Sequence, residues 1–285
     1  MTRGFFTIAL GEEYHRLAYA LALSLKITQP EEYSKLSIGV SLKEKANINP
    51  KYLDVFDQVI EIPWGDLSAT KKWKFENEWK SIHMTPYDET IKLDADMIFT
   101  SDISEWWKYL SLSEGVFATD VKTYRNETIT SDICRKVFTD NNLPNVYSAF
   151  FYFKRSNSNF EFFKLVEDIF KNWEHYFQEF FDVKNRPTFV STDVVFALAS
   201  KISNYDECNN FKVSGFPTFV HMKTELQKWV KASNDPWIEQ VEYFYNNDCQ
   251  LTIENYIQTL PFHYQIKEFM TDDIILKMEN KLGIK

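Results

Sequence analysis

The stretch KLDADMIFTSD (residues 92–102) places two aspartates one residue apart where an apolar run ends. ETIKLDADMIF (89–99) reads as a β-strand, with Leu93, Ala95 and Met97 on one face and Lys92, Asp94 and Asp96 on the other. Two carboxylates that close repel each other, and burial of either is costly. A divalent cation removes the repulsion. Paired hard oxygens suit Mg²⁺ or Mn²⁺ that keeps some waters and bridges substrate phosphates. The carboxyl end of a strand in an open α/β sheet is also where ligands bind. The plain alternative is a strand ending in solvated acids that cap the next turn.

Outward from this stretch, strands and helices alternate. FFTIAL (5–10), LSIGVS (36–41), QVIEIP (58–63) and GVFATDV (115–121) are compact apolar strands. EYHRLAYALALSLK (13–26), KKWKFENEWKSIH (71–83) and SEWWKYL (104–110) carry helical periodicity. This order implies a mostly parallel sheet covered by helices. SAFFYFK (148–154) adds a strand, residues 158–181 a long aromatic helix, and STDVVFALASKI (191–202) a helix capped by Ser191 or Thr192. FPTFVHM is a short strand or loop. The tail is helix-poor until TDDIILKMENKL (271–282). There are no repeats and no clear linker, so residues 1–230 read as one domain and 231–285 as an appendage packing on it.

Composition removes several function classes. The 285 residues include seven glycines, and no two are spaced as GxG or GxxxxGK, which excludes the dinucleotide fingerprint, the P-loop and the kinase glycine loop. Net charge is −9, so bulk electrostatics disfavours general nucleic-acid affinity. The start, MTRGFFTIALGEE, lacks the pattern of a signal peptide, and LAYALALSLKI (17–27) is too short to span a bilayer. Three scattered cysteines, Cys134, Cys208 and Cys249, form no CxxC and fit a reducing compartment. The expectation is a soluble cytoplasmic protein, monomeric or dimeric, with no membrane partner. Aromatic residues make up 17% of the chain, enough to leave some for stacking surfaces beyond the core.

An apolar strand, LDAD, a further apolar run and an acid-capped helix together resemble the DxD motif of GT-A glycosyltransferases, especially the family-8-like retaining enzymes. FFTIAL–GEEYHRLAYALALSLK resembles the opening nucleotide-binding unit of that family. VYSAFFYFK (146–154) resembles its strand with a small polar residue near the acceptor, and STDVVFAL (191–198) its acidic motif at a helix start. FVHMKTELQKW (219–229) resembles its late histidine motif. The likeness covers about residues 4–230. EIPWGD (61–66), HMTPYDETIKLDADMIF (83–99), VKTYRNE (121–127) and NLPNVYSAFFYFK (142–154) are also similar to sugar transferases of T4-like tailed phages, some of which glycosylate hydroxymethylated cytosine in DNA. DNA is therefore the acceptor that this second resemblance implies.

The resemblance implies an α/β fold, a GT-A-like Rossmann-type mixed sheet flanked by helices in a single domain with a C-terminal helical appendage. It implies a UDP-sugar donor and Mn²⁺ or Mg²⁺, with Asp96 as a direct metal ligand and Asp94 reaching the metal through water or holding the ribose. His221 would complete the metal site and Lys223 contact the diphosphate; Lys228 competes for that role, because the usual glycine–lysine–proline–tryptophan run is missing. At the first strand's end, Thr7, Ala9, Gly11 and Tyr14 would receive the base, with small residues allowing close approach and the tyrosine stacking. Lys80 shares a helix face with Trp73 and Asn77 and is placed to reach the donor. Asp193 would touch the sugar or steady the developing oxocarbenium, and Ser148 contact the transferred sugar. As alternatives, Asp193 is a helix-start acid favoured by the dipole and Ser148 a plain strand serine.

The expected activity is metal-dependent sugar transfer to a hydroxyl with retention, by front-side attack, since no carboxylate is an obvious covalent nucleophile. Three rivals stand beside it: a nucleotidyltransferase, which the sparse glycines disfavour; a non-catalytic nucleotide-sugar-binding module; and the same chemistry on a glycan, lipopolysaccharide or protein acceptor. Basic residues interleaved with aromatics at 71–80, 122–127, 134–136 and 153–156 would suit DNA.

Overall fold

The computed structural model describes residues 1–69, 75–129, 135–205, 216–222 and 236–284. Strands among these are β1 (Arg3–Ile8), β2 (Leu36–Val40), β3 (Gln58–Glu61), β4 (Glu89–Leu93), β5 (Met97–Ile98), β6 (Gly115–Ala118), β7 (Tyr147–Lys154), β8 (Val220–His221), β9 (Tyr243–Tyr245), β10 (Leu251–Ile253), β11 (Tyr256–Ile257) and β12 (Phe262–His263). The main sheet has the order β3-β2-β1-β4-β7-β6. β3, β2, β1 and β4 run parallel, while β7 is antiparallel to both β4 and β6. The alternating pattern predicts the parallel part of this α/β sheet, and the mixed sheet as a whole is the one that the resemblance implies.

Along β7, alternate side chains enter different cores, as the two-residue period of a strand requires. Phe150 and Tyr152 join a core with Phe5 and the helix Glu12–Thr28. Phe151 and Phe153 join an aromatic core with the helices Asn157–Lys171 and Thr192–Ser203. Phe117 stacks on Phe151 there, with centroids 3.8 Å apart and planes within 6°. The expected long helix over 158–181 is two, Asn157–Lys171 and Trp173–Phe180, broken at Asn172, whose amide side chain bonds back to Asp168.

The helix Glu12–Thr28 is buried all round from Leu17 to Leu25, a pattern that needs cover on both sides. The sheet supplies one side. The C-terminal helix Asp272–Leu282 supplies the other, where Tyr19 Oη donates to Glu279 and Arg16 pairs with Asp272. Trp237, Phe262, Tyr264 and Met278 belong to the same core as Phe5 and Ile38. Residues 236–284 are thus built into the core around the first strands.

Two elements depart from the sequence pattern. ETIKLDADMIF is not one strand. It divides into β4 and β5, which lie in different sheets, and residues 94–96 form the turn between them. The Asp94 N–H still bonds Ala149 O of β7 at 3.2 Å, and Tyr264 N–H closes on Asp96 O at 3.2 Å. The chain leaves the ladder where the carboxylates begin, and a segment from the C-terminal region holds the turn. The helix expected over 71–83 is also shorter. Residues 70–74, Trp73 among them, lie outside the described residues, and helical turns cover Glu78–Lys80 and Ser81–Met84. Asn77 instead binds the Asp66 and Ser68 side chains and the Leu67 N–H, so its amide closes a loop rather than extending a helix.

Gly4 shows how tightly the sheet is covered. A Cβ there would meet the Tyr87 ring at 2.3–2.6 Å. Tyr87 cannot retreat without breaking its hydrogen bonds to Ser37 and Asp57. Gly4→Ala is expected to cost about 1–3 kcal/mol, read as a lower urea midpoint at unchanged m-value. An unchanged midpoint would show that the ring moves freely.

No helix among the described residues is long and apolar enough to cross a membrane.

Candidate metal and donor site

The turn after β4 opens onto a cleft of about 210 Å³ lined by Thr7, Tyr14, Phe75, Glu78, Asp94, Asp96, Ser148 and Thr192, among others. Its place follows from the topology, since β1 and β4 are adjacent parallel strands and both end here.

Asp94, Asp96 and His263 each offer a ligand atom, and these atoms lie within 4.8 Å of one another. His263 stands beside Asp96 because β12 inserts between β5 and β8, pairing His263 with Met97 on one side and His221 on the other. Its Nε2 is 3.2 Å from Asp96 Oδ1. Burial works against the Asp96 carboxylate, but the adjacent imidazole prevails and holds it below the usual range. His221, the histidine expected from the sequence, sits one strand further back. Its Nδ1 is 3.0 Å from His263 Nδ1, and it is absent from the three-residue cluster.

Lys92 reaches over the same turn. Its ammonium lies 2.5 Å from Glu78 and 3.0 Å from Asp94. Burial opposes its charge, yet Glu78 and Asp94 outweigh that and raise its pKa. Asp94 is therefore held by a buried cation on one side and faces the cleft on the other.

Asp193 and Ser148 meet. The Ser148 N–H and Oγ–H donate to Asp193 Oδ1 at 2.9 and 2.6 Å, while Arg135 pairs with Oδ2 at 2.8 Å. Arg135 itself lies over the Tyr147 ring, 3.6 Å from its centroid. Ser148 lines the cleft and Asp193 stands behind it.

Of the residues expected to receive a base, Thr7 and Tyr14 line the cleft. Thr7 Oγ1 is buried and has no hydrogen-bond partner among the described residues, a donor-acceptor group left for something else to use. Ala9 is fully buried in the core, its N–H bonded to Gly39 O. Gly11 turns the chain into the first helix with φ 98°, a conformation that L side chains rarely adopt. Lys80 is not in this cleft. It is buried on the other side of the 78–80 turn, where it donates to Gly65 O and lines a separate aromatic groove. Lys223 and Lys228 lie outside the described residues.

Four residues here escaped the sequence reading: His263, Lys92, Glu78 and Lys267. Lys267 stacks over Tyr14, 4.1 Å from the ring centroid, and pairs with Glu13. FHYQIK (262–267) does carry a histidine followed by a lysine, the same residue types as FVHMK, and that was the available signal.

No family model matches the chain, and no curated protein matches it. Solved structures do. The galactosyltransferase LgtC, in complex with donor and acceptor sugar analogues, is similar with a TM-score of 0.54 and 10% identity, over 99% of this chain and 96% of that one. The glycosyltransferase GlyE of Streptococcus pneumoniae is similar at 0.47 and 10% identity, over 99% and 64% of the two chains. Mouse xyloside xylosyltransferase 1 is similar at 0.43 and 12% identity, over 78% and 85%. At this identity the likeness to LgtC is one of fold: the chain has the GT-A glycosyltransferase fold.

Proposed function

We propose that this chain is a divalent-metal-dependent glycosyltransferase that moves a sugar from a UDP-sugar to a hydroxyl acceptor with retention. The observation that carries this is the convergence of Asp94, Asp96 and His263 beside a cleft that Asp94 and Asp96 line together with Ser148 and Thr192. Two carboxylates and an imidazole are a fitting donor set for Mn²⁺ or Mg²⁺. Asp96 and His263 are the proposed direct ligands, with Asp94 bound directly or through water. When bound, the ion supplies charge compensation for the departing diphosphate.

The chain's own groups carry the rest. Thr7 Oγ1 and the Tyr14 ring are proposed to receive the base, and Lys267, already on Tyr14, to face the diphosphate in place of Lys223. His221 holds the His263 ring through the Nδ1–Nδ1 hydrogen bond, the usual way in which a ligand histidine is fixed in orientation. Ser148, its hydroxyl donating a hydrogen bond to Asp193, keeps its lone pairs for the sugar. Asp193 is engaged by Ser148 and Arg135 through both oxygens, so it is poorly placed as a nucleophile, which supports front-side departure and attack. An inverted product anomer by NMR would overturn that step.

For the acceptor, the charge pattern supports a neutral glycan. Three of the basic residues expected to track a nucleic-acid backbone are matched within the protein: Arg125 pairs with Glu254, Arg135 with Asp193, and Lys154 lies 3.7 Å from Glu114. The phage-like strings favour the second acceptor, hydroxymethylcytosine in DNA. Release of UDP from a panel of UDP-sugars with Mn²⁺ separates these readings. Stimulation by an oligosaccharide supports the glycan, and stimulation by hydroxymethylcytosine DNA supports the other acceptor. UDP-sugar binding with no UDP release from any donor would leave the non-catalytic nucleotide-sugar-binding module.

A further inference from the structure

Immediately behind the donor cleft lies a second one, of about 500 Å³, that the transfer chemistry does not use. The two share a wall. Glu78 faces the aspartates, while the next two residues, Trp79 and Lys80, face the second cleft.

The protein sustains unusual local costs to build it. Trp64 is 68% exposed, far more than a tryptophan in a core. It sits at φ 57°, followed by Gly65 at φ 79°, so an indole is presented from a left-handed turn that a bulky residue rarely adopts. That turn is pinned by the amine of Lys80, a fully buried lysine, which donates to Gly65 O. Behind it the Trp79 ring lies nearly parallel, at 5.8 Å and 8°. His83 meets Trp64 edge-on at 5.0 Å, and Phe160 closes the far end 5.4 Å from His83. The Lys80 amine and a strained backbone thus hold the Trp64 indole out to solvent, with Trp79 buried behind it.

The rim decides what fits. Along the helix Asn157–Lys171, Glu161, Lys164, Glu167 and Lys171 alternate in sign on the edge of the cleft. Glu167 and Lys171 pair at 2.5 Å, and Glu161 and Lys164 lie 4.0 Å apart. Among the described residues these rim charges balance, two acids against two lysines, and the remaining Lys80 amine is engaged at Gly65 O, so the rim offers an anionic polymer no excess of free positive charge. A neutral, hydroxyl-rich ligand uses it fully, because carboxylates accept and ammoniums donate to hydroxyls while an apolar sugar face lies on the exposed Trp64 indole.

We propose that the cleft framed by Trp64, Trp79, His83 and Phe160 is a saccharide-binding subsite, separate from the transfer site, that holds a pyranose unit of a neutral glycan chain. It goes beyond catalysis, and its binding is measured without donor or metal, so it fails separately from the transferase reading.

The test is binding of the full chain to a printed array of oligosaccharides spanning hexose, N-acetylhexosamine and deoxyhexose chains. The strongest binder is then titrated by tryptophan fluorescence. The expected result is saccharide binding that Trp64→Ala weakens at least tenfold, that Trp64→Phe largely retains, and that Asp96→Asn leaves unchanged. Trp64 is exposed, so its removal leaves the core intact, and circular dichroism verifies this. The proposal is overturned if no printed saccharide binds, if Trp64→Ala binds as well as the parent chain, or if Trp64 supports binding of single-stranded DNA instead.

Discussion

Asp96→Asn is expected to lower metal-stimulated UDP release at least about 100-fold. Replacing a carboxylate by an amide removes a charge from the proposed ligand set, and several kcal/mol of charge compensation at the diphosphate go with it. His263→Ala is expected to fall in the same range, because its Nε2 lies 3.2 Å from Asp96 Oδ1 and its ligand atom belongs to the same cluster. His221→Ala should be milder, about 10–100-fold and expressed mainly as weaker metal affinity, since it touches the site only through His263. Manganese titrations of the three variants, read by UDP release and by calorimetry, rank these effects. If His221→Ala abolished metal binding while His263→Ala retained it, the assignment of the two histidines would be reversed.

Lys92→Met should destabilise the protein by about 3–5 kcal/mol, because it leaves the Glu78 carboxyl, whose charge burial already disfavours, without its cationic partner. At roughly 2–4 °C per kcal/mol for a domain of this size, the melting temperature falls by about 6–20 °C. The double variant Lys92→Met with Glu78→Leu should recover most of the loss, since an apolar pair of similar volume can replace a buried ion pair. Activity should not return with it, because Asp94 loses the ammonium that lies 3.0 Å from its carboxylate. Calorimetric melting of both variants checks the stability difference. Equal loss in the single and double variants would mean that packing around Lys92, not charge, sets its contribution.

The chain by itself determined most of the strands and helices through β7, because local periodicity carries that information; the split of ETIKLDADMIF and the shortened helix before it are the exceptions. The apolar runs of β1, β2 and β4 mark the parallel half of the sheet, and the scarcity of glycine excludes the phosphate loops. It also brought forward Asp94 and Asp96, two neighbours in sequence whose chemistry needs no distant partner to be noticed. Ser148 and Asp193 were singled out one at a time, 45 residues apart, and their hydrogen bond is visible only in the folded chain. Which histidine faces the aspartates was not legible. FVHM and FHYQIK are comparable strings, and the choice depends on β12 lying between β5 and β8; β8 is 42 residues away in sequence and β5 more than 160, pairings that no local pattern encodes. The fate of Lys80 was decided the same way. A helical wheel aims it at the donor, whereas a loop closed by Asn77 and the turn at Gly65 draws its amine to the other side of the wall. Local sequence sets what a segment is. Long-range strand pairing and burial set which of its side chains meet, and the candidate site is made of such meetings.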